Sequence, residues 1–143
     1  MTADCVLDTN ILVRHLTQDD AALSTRATAF LLEVAKGSIS VLLRDAIVFE
    51  TVFTLERPYK VAREAIAERL LEILELQHVV CPGGDMFRDV FELYIAHPGL
   101  SFVDCYLAVI AIAEDINCVA TFDKKLGGLP GIRRFEPPAA TGQ

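Results

Sequence analysis

Short apolar runs separated by stretches of helical periodicity organise the chain. Residues 4–8, 39–43, 78–81 and 117–121 read as strands, and 131–135 adds a fifth. Residues 10–16 make a short helix that breaks at Gln18-Asp19-Asp20, whose acids can cap a second helix running to Lys36. In that second helix Leu23, Ala27, Phe30, Leu31 and Val34 share one apolar face, and Gly37 stands where the residue past a helix C-terminus is expected. A third helix, 45–57, must stop near Pro58. An amphipathic helix follows over 61–76, with Arg63, Glu64, Glu68, Arg69 and Glu72 toward solvent. After the turn Pro82-Gly83-Gly84, residues 86–96 are helical up to His97-Pro98-Gly99, and 102–115 form the most apolar helix.

Strands alternating with helices predict a parallel sheet covered on both faces, so the expected fold is a three-layer α/β/α domain with a central sheet of four to five strands. A chain of 143 residues fits one such domain, placed over 1–136, with 137–143 as a loose tail. The hydrophobic fraction, 52%, is high beside a charged fraction of 23%, which predicts an exposed apolar patch and self-association. No apolar run approaches the roughly 18 residues of a membrane span, and no basic stretch leads into an apolar core at the N-terminus, so the expected compartment is the cytoplasm. Cys5, Cys81, Cys105 and Cys118 stand singly in apolar surroundings and read as reduced, buried small hydrophobes. With no paired cysteines and no His-x-x-x-His, a zinc site is not expected.

The chemistry lies in the acids. In a parallel sheet all strand C-termini share one edge, which is where open α/β sheets keep their ligands. Asp8 ends the first strand, Glu50 lies about one and a half turns into the helix after the second, Asp104 is in the first turn of the helix leading to the fourth, and Asp123 follows that strand. Each has a bland alternative. Ser101-Phe102-Val103-Asp104 fits a capping box. Asp123 suits a turn or cap, and Asp4 suits a strand start. Glu50 has Ala46, Ile47, Phe53 and Thr54 as helical neighbours, which predicts that it projects from an apolar, buried face and needs a cation or a basic partner. Converging carboxylates with neither imidazole nor thiolate select Mg2+, with Mn2+ as a substitute, and suit phosphodiester hydrolysis by a bound water.

Val-Leu-Asp8-Thr9-Asn10, Glu50 within Phe-Glu-Thr-Val-Phe-Thr-Leu-Glu-Arg, Asp104 within Ser-Phe-Val-Asp-Cys-Tyr-Leu-Ala, and Thr121-Phe122-Asp123 together resemble the PIN-domain ribonucleases, in particular the VapC-type toxins of toxin–antitoxin pairs. The resemblance runs from residue 6 to about 126 with the motifs in order. It implies a magnesium-dependent endoribonuclease with Asp8, Glu50, Asp104 and Asp123 as catalytic metal ligands, and Asn10 and Thr121 as supporting polar residues. It further implies an RNA substrate such as tRNA, a small antitoxin of VapB type, and a homodimer. The net charge of −7 is unlike that of a simple nucleic-acid binder, so RNA contact is expected from the nearby bases Arg14, Arg44, Lys124 and Lys125. Two alternatives are a PIN-fold binding module without activity and a phosphatase or receiver-type domain. The haloacid-dehalogenase pattern wants a second acid where Asn10 stands.

Overall fold

A computed structural model describes residues 2–140; the last three residues of the expected tail, 141–143, lie outside the described residues. The chain divides into two compact units, residues 1–85 and 86–143.

The first unit is built on parallel pairing. Strands β1 (Cys5–Val6), β2 (Val41–Leu42) and β3 (Val79–Val80) form a sheet in that order, with Cys5 opposite Val41 and Val41 opposite Val79. Hydrogen bonds carry the ladder past these short cores: Leu7 N–H donates to the Leu42 carbonyl at 2.9 Å and Leu43 N–H to that of Val80 at 2.8 Å. At the other end Asp4 accepts from Ser40 N–H at 2.9 Å and from its hydroxyl at 3.2 Å, so this acid locks the strand starts together, as a strand-start residue should.

Around the sheet pack helices α1 (Thr9–Thr17), α2 (Ala21–Lys36), α3 (Asp45–Glu56) and α4 (Arg63–Leu74). Gln18, in the left-handed region, ends α1, and Asp20 caps α2 by accepting from Leu23 N–H at 3.0 Å. Gly37, at φ +88°, turns the chain out of α2 with its N–H on the Glu33 and Val34 carbonyls. Leu12, Val34, Val41, Val48, Val52, Ile66 and Leu70 form the centre of the core. His15 lies half-buried with Nδ1 2.8 Å from the Thr28 hydroxyl. Burial, reinforced by Arg69, holds its imidazole below the ordinary histidine value, as befits a packing residue.

The second unit holds α5 (Met86–Ala96), α6 (Phe102–Ala113), β4 (Cys118–Ala120), a 3-10 helix (Lys124–Gly128) and β5 (Arg133–Phe135). Phe102 is fully buried among Phe91 and Tyr94, with ring centroids 4.9 and 5.4 Å away. β4 and β5 pair in parallel.

The alternation of strands and helices therefore holds, with parallel pairing throughout, but the strands fall into a sheet of three and a sheet of two. Two expectations about burial fail. β1 is not a buried strand: Cys5 and Val6 are exposed, Val6 at 68%, because β1 is the edge strand of its sheet. The cysteines are all free, yet only Cys105 is buried; Cys5 is exposed, and Cys81 and Cys118 are partly covered. Partial burial, with the Asp45 charge nearby, still pushes the Cys81 thiol up to about 11, which keeps it protonated at neutral pH. Among the described residues no helix is long and apolar enough to cross a membrane.

A side chain at Gly37 would be forced into the left-handed region and its Cβ would stand 2.8 Å from Nε2 of His78. Gly37→Ala is expected to destabilise the protein by roughly 1–2 kcal/mol in urea denaturation, with an unchanged m-value.

Candidate functional site

The site acids owe their positions to strand ends and helix starts. In the first unit Asp8 follows directly on the last ladder residue of β1 and is the N-cap of α1, with extended φ/ψ of −95° and 150°. Its carbonyl accepts the first helical bond, from Ile11 N–H at 3.2 Å. Continuing the register of β1 and β2 by two residues sets Asp8 opposite Arg44, which is the N-cap of α3. Both therefore mark the C-terminal edge of the sheet.

An aspartate at an N-cap ordinarily turns its carboxylate back to accept from the second or third helical N–H, as Asp20 does. The exposed Asp8 side chain makes no such bond. Its oxygens are left for another partner beside the positive end of α1. Next to it Thr9 is only 4% exposed, and its hydroxyl has no hydrogen-bond partner among the described residues. The buried hydroxyls of Ser24 and Thr51, by contrast, donate to the carbonyls of Arg14 at 2.8 Å and Ile47 at 2.7 Å. An orphaned buried hydroxyl beside an uncommitted carboxylate is what a site for water or a hydrated ion leaves behind in the bare chain. Nothing in the pattern of residues marks Thr9 beyond its place in the motif.

Glu50 lies on α3, five residues past its start and so about 7.5 Å along the axis of a helix that leaves the same sheet edge. It is exposed, which corrects the expectation of a buried carboxylate. Its neighbours Ala46 and Phe53 are exposed too, Phe53 at 39%, while Val48, Thr51, Val52 and Leu55 form the buried face. Because α3 is apolar on nearly every side, the neighbours of one residue do not reveal which face goes inside. Asn10, exposed on the first turn of α1, and Arg44, exposed, lie near this edge. Arg14 is half-buried and donates to Asp19 at 3.0 Å.

In the second unit Asp104 is the third residue of α6 and completes a capping box. Its N–H donates to the Ser101 hydroxyl at 3.0 Å, and its Oδ2 accepts from Ser101 N–H at 3.1 Å. The bland reading of Asp104 is thus correct as far as it goes. One oxygen fixes the carboxylate, and Oδ1 has no hydrogen-bond donor among the described residues. Asp123 is likewise a cap: Oδ1 accepts from Lys125 N–H at 2.9 Å at the start of the 3-10 helix. The Thr121 hydroxyl accepts from Asp123 N–H at 3.0 Å, which makes Thr121 the support of that turn. Since α6 packs on β4 through a short connection, it runs back along the strand and its first turn lies toward the end where Asp123 stands. Lys124 and Lys125 are exposed beside it.

Each unit by itself thus presents two of the four acids, and no group of three or more His, Cys, Asp or Glu side chains is close enough to hold a metal among the described residues. The four acids remain an all-oxygen donor set, which fits a hard divalent cation and no soft one.

A family model for the PIN domain matches residues 5–131, a stretch that includes all four acids. The VapC ribonuclease of Aquifex aeolicus (strain VF5) is 29% identical over 132 residues, covering 92% of this chain and 96% of that protein.

Because the capping box fixes Asp104 through Ser101, Ser101→Ala should cost about 1 kcal/mol of stability by removing the bond to Asp104 N–H. Chemical denaturation of the variant beside the wild type reads this directly.

Proposed function

The chain belongs to the PIN domain family, and from that membership we propose that it is a metal-dependent endoribonuclease, the toxin of a toxin–antitoxin pair. The observation that carries the reading is the family match across 5–131, which takes in Asp8, Glu50, Asp104 and Asp123 in order. The kinship with a VapC ribonuclease over nearly the full length of both chains supports the choice of RNA and the toxin role.

In this reading Asp8, Glu50, Asp104 and Asp123 hold a divalent cation, Mg2+ in the cell with Mn2+ as a substitute. Once bound, the ion supplies an activated water at neutral pH and offsets charge on the phosphoryl oxygen. The chain's own residues do the rest. Asp8 keeps its oxygens uncommitted by leaving its N-cap bond unmade. Asp104 spends one oxygen on Ser101 N–H and so keeps the other aimed consistently. Thr121 steadies Asp123, and Asn10 supplies an amide at the same edge as Asp8. Arg14, Arg44, Lys124 and Lys125 take RNA phosphates and counter the net charge of −7. The fold that accompanies this reading is the three-layer α/β/α one over 1–136. The substrate is structured RNA of the tRNA kind, the active form a cytoplasmic homodimer, and the inhibitor a small VapB-type antitoxin. The high apolar fraction, 52%, supports a protein covered by partners.

Incubating purified protein with total small RNA tests the proposal. Discrete fragments are expected with Mg2+ and none with EDTA. Asp8→Asn should cut cleavage by more than the roughly 10- to 100-fold that follows loss of a residue merely supporting a metal ligand, while the fold persists. Equal cleavage by wild type and Asp8→Asn would remove Asp8 from the mechanism.

A further inference from the structure

We propose that the groove between α1 and α2 binds the single-stranded RNA segment flanking the scissile phosphate, with Arg26 as its principal phosphate contact. This rests on the ribonuclease reading and extends it to a residue and a surface that the four-acid pattern does not include.

The groove has a volume of about 490 Å³ and lies wholly within the first unit. Its lining includes Asn10, two residues past Asp8. Two arginines line it, Arg14 from α1 and Arg26 from α2, and no lining side chain is acidic. In a chain of net charge −7 that local balance runs against the average and makes the groove a place for a polyanion. Arg26 is exposed and has no ion pair among the described residues, so its guanidinium is available. Arg14 is held at one nitrogen by Asp19, which is itself clasped by the Tyr59 and Thr17 hydroxyls. The Tyr59 hydroxyl, ahead of Thr17 and Arg14, keeps the Asp19 carboxyl below the usual carboxylate range, so this anchor stays charged. Arg14 is therefore positioned and Arg26 is free to adapt.

Ile11 and Phe30, both half-buried, give the groove an apolar part of its lining. Guanidinium groups beside an aromatic ring are what single-stranded nucleic acid uses, phosphates on the arginines and a base on the ring. An acidic protein segment would also meet the arginines. RNA is favoured because the lining residue Asn10 stands two positions from Asp8, the acid assigned to the cleavage itself. Sequence reasoning placed Phe30 and Leu23 on an apolar face and passed over Arg26, which the spacing 23, 26, 30 puts on that face.

The test is fluorescence anisotropy of a short fluorescein-labelled oligouridylate in EDTA, run beside the small-RNA cleavage assay with Mg2+. Exposed Lys36, at the far end of α2, serves as a charge control. Arg26→Ala should weaken binding about 10-fold and flatten the log–log salt dependence by about 0.7, with Arg26→Glu weaker still. Lys36→Ala should bind as wild type. In cleavage, Arg26→Ala should raise KM and leave kcat within about twofold. Oligouridylate binding that ignores Arg26, or no binding by wild type, overturns the proposal even if RNA is cut, and leaves the nuclease reading standing. Competition by polyglutamate as strong as by RNA would mark a site for an acidic protein segment and also overturn it. Arg26-dependent RNA binding by a protein that cuts no RNA with any divalent metal would uphold the groove and sink the nuclease reading.

Discussion

A carboxylate without a cationic side chain beside it must be held by the chain's own dipoles and hydrogen bonds. This protein meets that constraint by seating three of its four candidate acids in the first positions of helices. Asp8 is the N-cap of α1, Asp123 the N-cap of the 3-10 helix, and Asp104 the third residue of α6. The positive end of a helix favours negative charge there by roughly 0.3–1 kcal/mol each, more where partly buried. For Asp8 the parallel ladder of the first unit makes this possible, because strands that end at one edge start their following helices at that edge.

The three seats differ in how much of the carboxylate they use. Asp104 and Asp123 each give one oxygen to a backbone N–H, which fixes orientation and leaves a second oxygen. Asp8 gives none. A cap that forgoes its hydrogen bond sacrifices about 1 kcal/mol of helix stability, and a buried hydroxyl without a partner, as on Thr9, adds to the cost. An unmade cap bond and an unpartnered buried hydroxyl thus fall on adjacent residues of the Asp8 motif, a departure from local rules of the kind expected at functional sites.

The features readable from the sequence were those set by local chemistry. Asp20 as a cap, Gly37 as a helix exit, the stop before Pro58 and the Ser101–Asp104 box each depend on a few adjacent residues, and each stands where the pattern put it. What the sequence hid was facing. The helix α3 is apolar around most of its circumference, so Glu50 looked buried and is exposed. Cys5 and Val6 looked like a buried strand because an apolar run does not say whether its strand is at an edge. The 3-10 helix after Asp123 escaped notice because five residues, Lys-Lys-Leu-Gly-Gly, carry no periodicity. The helical spacing sets Arg26 beside Leu23 and Phe30, but its meaning comes from α1 packing beside it, a contact between segments that no pattern within α2 contains.

The central proposal is that Asp8, Glu50, Asp104 and Asp123 act as metal ligands. Mn2+ binding measured by water proton relaxation, in the wild type and separately in Asp8→Asn and Asp104→Asn, addresses it most directly. The account predicts that each substitution alone, one in each compact unit, weakens Mn2+ binding by about 10-fold or more. Wild-type affinity in Asp104→Asn, with loss in Asp8→Asn, would contradict it.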